Sequence, residues 1–338
     1  MNTIPRISVV MSIYNEPEEW IRTAIDSILS QTMTDFEFII INDNPTNENN
    51  FRLLQEYIYK DSRVRIIQNT ENLGLTKSLN IGLREARGEF IARMDADDFA
   101  FSERFEIQFK YLQQRPEYIA CSAMAYFWDG IKLKGRMYRP VSEFDMLTYL
   151  FASSPFVHPL LMMRRSSIEA YNISYNEDFR YSQDYRLAAD MIKVGKIGNV
   201  DDYLLKYRVS TQQISNKFGH EQQRLTMQIR RDLINWYYAK FSFPALAQVV
   251  SIDSIKENYH NTREFCRTRQ LTKQQQREFC IVMNCIRRLL YYSLIRYSWR
   301  SLWLFLKSGD YFRIPYKLRR FVIVIWKHFD ANIVPRLL

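Results

Sequence analysis

Apolar positions in the first hundred residues fall into short continuous runs, separated by stretches that repeat every three to four residues. Residues 7–11 (ISVVM) form a β-branched, largely apolar run, the pattern of a strand covered on both faces. Residues 36–41, 64–67 and 90–94 follow the same pattern. Between the first two runs, Trp20, Ala24, Ile25, Ile28 and Leu29 recur at helical spacing after Pro17, which suits a helix start. Residues 51–59 and 76–86 read as further helices. Strands alternating with helices predict an α/β fold with a mostly parallel sheet flanked by helices. Ligands of such sheets bind beyond the carboxyl ends of the strands. The polar clusters lie at those ends: Tyr14-Asn15-Glu16, Asn42-Asp43-Asn44-Pro45 and Asp95-Ala96-Asp97-Asp98.

Further along the pattern is mixed, with a helix near residues 104–114 and strands near Ala120 and Leu160. After Gln222 the chain reads as helical, polar at first and then aromatic and basic. A length of 338 residues accommodates one large domain and an appendage. Four cysteines, Cys121, Cys266, Cys280 and Cys285, lack metal-type spacing. The last two, five apart in a predicted helix, read as core residues. The start has no charged segment followed by a long apolar run, so a reducing, cytosolic setting is expected.

Charge changes the picture more than composition does. The net +10 is concentrated after Cys285, where eleven Lys or Arg face two acids and twelve aromatic residues occur. A basic, aromatic terminus beside a nearly neutral body reads as a localisation signal. Residues 289–306 form the most apolar long stretch, but Arg296 and Arg300 interrupt it, so it is expected to lie on a surface and not to span a bilayer. On a helix through residues 291–307, Arg296, Arg300 and Lys307 share one side, the pattern of an interfacial helix. Lys317, Arg319 and Arg320 then precede the apolar run 321–326, and anionic headgroups attract such clusters. The competing reading is a helical subdomain packed on the catalytic core with its charges in water.

The acidic cluster is the main candidate for chemistry. Three carboxylates within four residues are costly to place together without a cation. Mg²⁺ or Mn²⁺ would supply one, since both prefer oxygen ligands and bridge carboxylates to diphosphates. The alternative is a solvated acidic turn, with Asp98 or Ser102 capping the following helix.

Residues 7–16 (ISVVMSIYNE), 35–43 (DFEFIIIND), 72–82 (NLGLTKSLNIG) and 88–98 (GEFIARMDADD) together resemble the family 2 glycosyltransferases, with the Rossmann-like GT-A fold. The resemblance continues through Ser154-Pro155-Phe156-Val157-His158-Pro159, Arg164-Arg165 and Gln183-Asp184-Tyr185, and covers about residues 6–210. The subgroup it most resembles makes bacterial exopolysaccharides and O-antigen units. It implies a catalytic domain over residues 1–215, with a nucleotide-binding half (1–98) and an acceptor half (99–215), and a helical, membrane-associating region over 216–338.

Carried over, the resemblance implies that Tyr14 stacks on uracil and that Asp43 accepts from the uracil N3–H. Ser12, Glu16 and Lys77 belong to the nucleotide side, Lys77 near a helix start where a cation and free N–H groups suit a diphosphate. Asp95 faces the ribose and, with Asp97, the metal. Asp184 is the catalytic base, and His158 and Gln183 line the acceptor site. Each also has a plainer reading: a packing tyrosine, an exposed helix lysine, an N-terminal helix acid, a structural histidine. The family's aspartate pair at Asn42-Asp43 is reduced to one, Gln183 replaces a glutamate, and Ser12 stands where proline is common. Neither the Gln-x-x-Arg-Trp motif nor the spanning helices of the processive synthases is visible, which implies single additions.

The expected function is therefore inverting transfer of one hexose, glucose or galactose, from a UDP-sugar to a lipid-diphosphate-linked GlcNAc or oligosaccharide, for example in β-1,3 linkage. Such enzymes work peripherally at the cytoplasmic face of the inner membrane, on an anionic leaflet. A nucleotidyltransferase is the enzymatic rival, but its glycine-rich basic loop is missing after residue 11. A non-catalytic lipid- or nucleic-acid-binding protein is the other, and the neutral body argues against nucleic acid.

Overall fold

The computed structural model describes residues 4–209, 219–246 and 252–295, so the aromatic, basic segment from residue 296 onward lies outside the described residues. Two compact units divide at 237/238.

The first unit begins with the alternation read from the sequence. Strands β1 (Ile7–Ile13), β2 (Phe36–Asn42), β3 (Val64–Gln68) and β4 (Phe90–Asp95) pair in parallel in the order β3-β2-β1-β4. Every residue of β2 is buried, and only Ser12 in β1 is partly exposed, as continuous apolar runs between two helical layers require. Helix α1 (Glu18–Leu29) follows Pro17, carries Glu18 and Glu19 at its positive end, and buries Ile21, Ala24, Ile25 and Ile28. Helix α2 (Glu48–Lys60) is capped by Asn47, whose side chain accepts from the Asn49 and Asn50 amides. Helix α3 (Leu75–Glu85) starts after Gly74, at φ +84°. It lies against β1 so closely that a Cβ on Gly82 would stand 2.2 Å from a Val10 methyl. At the opposite end of the sheet from the polar clusters, Ser8 Oγ accepts from the Arg87 and Gly88 amides, and Gly88 leaves no room for a Cβ beside the Ser8 nitrogen, 2.5 Å away.

The second half of the sheet mixes directions, and here sequence reading was least complete. Strand β5 (Phe99–Ala100) and helix α4 (Arg104–Gln113) lead into β6 (Tyr118–Trp128), which forms a hairpin with β7 (Leu133–Met137). Helix α5 (Glu143–Leu150) follows. The strand expected near Leu160 is displaced to β8 (Met162–Arg164), because His158–Leu160 forms a 3-10 turn around Pro159. Helices α6 (Arg165–Ala170) and α7 (Gln183–Val194) precede β9 (Lys196–Arg208), which runs parallel to β6 and antiparallel to β5. Strand β8 joins the halves, antiparallel to both β4 and β6.

Helix α8 (Gly219–Ala239) packs on this unit: Arg230 donates to the Ala152 carbonyl, and Arg186 pairs with Asp232 at 2.7 Å. The division into units thus falls after the 215/216 boundary set by composition. The second unit contains helices α9 (Ile252–Thr268) and α10 (Lys273–Ile295), held by a cluster of Phe241, Phe243, Phe265 and Phe279. Cys280 and Cys285, expected in the core, are only half-buried, and the Cys280 sulfur stands 3.6 Å from that of Cys266, all as free thiols. Among the described residues no helix is long and apolar enough to cross a membrane.

Candidate active site

Register brings the polar clusters together. Ser12 in β1 stands beside Asp95 in β4, and Ile13 beside Asn42 in β2, so three strand ends open on one side of the sheet. Tyr14 is 40% exposed there, and its amide donates to Glu16 Oε2 at 2.7 Å, which fixes the turn. Asn42, standing where the resembling family has an aspartate, does work that a carboxylate could not. It donates to Gln68 Oε1 and accepts from the Asn44 amide and from Asn50 Nδ2, and a carboxylate only accepts.

Asp43 is almost fully buried. Its Oδ1 accepts from Asn69 Nδ2 (2.7 Å) and the Leu73 amide (2.8 Å), and its Oδ2 from the Gly74 amide (2.8 Å). It therefore ties the end of β2 to the loop that starts α3, a role that sequence reading did not foresee. Lys77 stays largely in solvent, 4.0 Å from Glu177. The cation near Gly74 is Arg180, 3.9 Å from where a Gly74 Cβ would stand.

The acidic turn carries its own cation. Arg93, two residues before Asp95 and on the same face of β4, donates from both terminal nitrogens to the Asp95 carboxylate while buried. Among the described residues Asp97 and Asp98 have no such partner. Burial, then the charges of Asp95 and Glu16, push the Asp97 carboxyl up to about 7. Burial and the charges of Asp97 and Asp95 push Asp98 well above the ordinary range, and burial raises Glu16. Asp98 Oδ1 accepts from the Arg208 amide at 2.8 Å, whereas its buried Oδ2 has no partner among the described residues. Arg208 also donates to the Asp97 carbonyl, and its guanidinium lies between the rings of Trp20 and Trp128.

This donor set fits a divalent cation. Ligand atoms from Asp95, Asp97 and Asp98 lie within 4.8 Å of one another, and the orphaned oxygen and undercompensated charge both call for positive charge. The alternative of a solvated capping turn fails for Asp98, which is 1% exposed. A pH effect follows. Without a divalent cation the folded chain holds a proton on Asp97 up to about pH 7, whereas an unfolded aspartate releases it near 4. Over that window the native state binds more protons, so this group makes stability fall as pH rises. Mn²⁺ should therefore raise the urea midpoint more at pH 8 than at pH 5.5. Equal shifts at both values would sink the assignment.

The second half of the sheet positions His158, Tyr175 and Asp184. Ser122 Oγ accepts from the Val157 amide and donates to its carbonyl, and Asn199 Nδ2 donates to the Pro155 carbonyl, locking the segment that carries His158. His158 Nε2 stands 3.0 Å from the Tyr175 hydroxyl, and burial, then Arg93, hold the imidazole well below its ordinary pKa and neutral. Tyr175 is placed by Asn80, which bonds both its amide and its carbonyl at 2.8 Å. Asp184 lies in the first turn of α7, where burial raises its pKa against the opposing pull of backbone N–H groups and Arg93. Tyr175 lies within electrostatic reach of both Asp95 and Asp184. Gln183 Oε1, Thr76 Oγ1 and Ser154 Oγ are buried without partners among the described residues. Sequence reading missed Arg93, Tyr175, Arg180 and Arg208; only Arg93 had a signal, its same-face spacing from Asp95.

The comparisons agree. The model of "Glycosyl transferase family 2" matches residues 8–171. An uncharacterised glycosyltransferase of Methanocaldococcus jannaschii is 37% identical over 208 residues, 61% of this chain and 71% of that protein. The amylovoran biosynthesis glycosyltransferase AmsE of Erwinia amylovora is 28% identical, over 66% of this chain and 84% of its own. Among solved structures, S. aureus TarS 1–349 in complex with UDP-GlcNAc superposes with a TM-score of 0.55 at 17% identity, covering 85% of this chain and 86% of that one, a likeness of fold. A strand-end acid cluster on this fold, in a chain so closely related, leads to one assignment: the protein is a glycosyltransferase of family 2.

Proposed function

We propose that the protein transfers a single hexose, glucose or galactose, with inversion from a UDP-sugar to a lipid-diphosphate-linked GlcNAc or short oligosaccharide, as in polysaccharide synthesis. The observation that carries this reading is the acid cluster Asp95-Asp97-Asp98 at the strand ends, its ligand atoms within 4.8 Å of one another. That a relative is named for amylovoran biosynthesis and a fold neighbour binds UDP-GlcNAc supports a role in polysaccharide synthesis and a UDP-linked donor.

In this reading the exposed Tyr14 ring stacks on uracil, and Asp43 Oδ2, which accepts a single hydrogen bond, takes the N3–H. Ser12 and Glu16 line the nucleoside side, and the Gly74 loop with Lys77 and Arg180 receives the diphosphate. Asp95, held by Arg93, faces the ribose and shares with Asp97 the binding of Mn²⁺ or Mg²⁺. Such a cation, when bound, neutralises charge growing on the leaving diphosphate. Asp184, with its raised proton affinity, takes the proton from the acceptor hydroxyl as the new bond forms on the face opposite the departing UDP. Neutral His158, positioned by Tyr175, and Gln183, with its unpartnered Oε1, orient acceptor hydroxyls. The basic terminal segment places the enzyme peripherally on the cytoplasmic face of the inner membrane.

The test is incubation with Mn²⁺, a panel of UDP-sugars and a GlcNAc-diphospho-lipid analogue, followed by anomeric and linkage analysis of the product. Transfer from a UDP-hexose giving a β product is expected. Transfer only from non-uridine donors, or retention of the donor anomer, would overturn the proposal.

A further inference from the structure

The β6–β7 hairpin has a surface that the fold does not explain. Strand β7 pairs only with β6 among the described strands, and Leu133, Lys134, Gly135 and Arg136 are all exposed. At the tip, Ile131 is 87% exposed and Leu133 51%. Isolated exposed aliphatics are ordinary, but two at one protruding tip, among cations, are a pattern with a use. Between residues 129 and 139 the chain has Lys132, Lys134, Arg136 and Arg139 against a single acid, Asp129.

The tip is a built turn. Asp129 Oδ1 accepts from the Ile131 and Lys132 amides at 2.9 and 2.7 Å, and its Oδ2 pairs with Lys134 at 2.6 Å. Gly130 takes φ +100°. Ile131 is therefore held outward by backbone hydrogen bonds. The hairpin also reaches the active site: Arg208 NH1 lies 2.6 Å from where a Gly130 Cβ would stand, its guanidinium stacks on Trp128, and its amide holds Asp98.

We propose that this hairpin docks the catalytic unit on an anionic lipid surface. Ile131 and Leu133 enter the headgroup layer, while Lys132 and Arg136 meet lipid phosphates. An edge strand lined with cations discourages pairing with another strand, and its charge suits an anionic bilayer. Aliphatic side chains flanked by lysines and arginines are the composition of interfacial anchors. Docking here would place the bilayer beside the Asp97-Asp98 turn. That purpose rests on the reading of a lipid-borne acceptor; the binding itself is measured without donor or acceptor.

The experiment is co-sedimentation of the full chain with vesicles of phosphatidylglycerol and phosphatidylethanolamine, and with vesicles of phosphatidylcholine alone. Replacing Ile131→Ser together with Leu133→Ser should lower partitioning to the anionic vesicles about tenfold or more, with unchanged near-UV circular dichroism. Lys132→Gln with Arg136→Gln should weaken binding to them and reduce its salt dependence, leaving the phosphatidylcholine value unaltered. The basic terminal segment is the same in all variants, so binding that resides there alone would leave them equal to wild type and overturn the proposal. So would a wild-type chain that ignores anionic vesicles. Loss of a dimer in light scattering, with vesicle binding kept, would assign the strand to a second copy instead. A failed sugar-transfer assay would count against the proposed reaction and leave this result standing.

Discussion

Asp184→Asn should lower kcat by about 10³-fold, within the 10²–10⁴ range typical of a lost general base, and leave the affinity for UDP unchanged. The substitution keeps shape and the first turn of α7, so the geometry of the cleft survives. Stability should not fall. Burial raises the Asp184 pKa in the folded chain, which means that its ionised form is disfavoured there relative to the unfolded chain. A neutral amide removes that cost at pH 7. Turnover and UDP binding, measured by product formation and calorimetry, separate the roles. In the wild type, kcat should decline on the acid side through a pKa above the ordinary carboxylate value, and the variant should lack that limb. A variant with near-wild-type rate would show that another group takes the proton, and neutral His158 would be the next to test.

The nucleotide half was legible because its strands are buried on both faces and so read as continuous apolar runs. β1 to β4 begin within a residue of where those runs begin. Parallel order places their ends together, so Tyr14, Asp43 and Asp95 converged from sequence order alone. The second half was harder to read for a physical reason. β9 contains Asn199, Asp201 and Asp202, and β7 is exposed throughout most of its length, so neither shows the periodicity of a half-buried strand. The site's cations were the larger omission. Arg93 is a buried arginine inside a strand, and composition gives no sign of burial for a charged side chain. Only its position two residues from Asp95, on the same face of a strand, marked Arg93. Asn42 illustrates the reverse case. As a departure from the resembling motif it put donor contacts in doubt, yet its amide joins β2, β3 and α2 and leaves Asp43 in place.

Arg93→Met should cost about 2–3 kcal/mol of stability, less than the usual penalty for breaking a fully buried ion pair because the Asp95 carboxylate left behind is 28% exposed. Methionine fills much of the same volume, so the loss is mainly electrostatic. With the guanidinium gone, Asp95 stands beside Asp97 and Asp98 with no fixed cation bonded to its carboxylate, in a site where burial already raises both neighbours. The double substitution Arg93→Met with Asp95→Asn should recover part of the loss, because the stranded charge is removed with its partner. Urea unfolding at pH 8 without divalent cation gives all three values. Adding Mn²⁺ should restore more stability to Arg93→Met than to the double variant, since only the first retains a carboxylate at position 95 for the cation. A single variant within about 1 kcal/mol of wild type would mean that Asp95 is compensated by other groups. The sequence GEFIARMDADD would then contain its arginine for a reason other than charge. A coupling of that size would make Arg93 the fixed positive charge of the acid cluster, built into the strand two residues before the carboxylate it compensates.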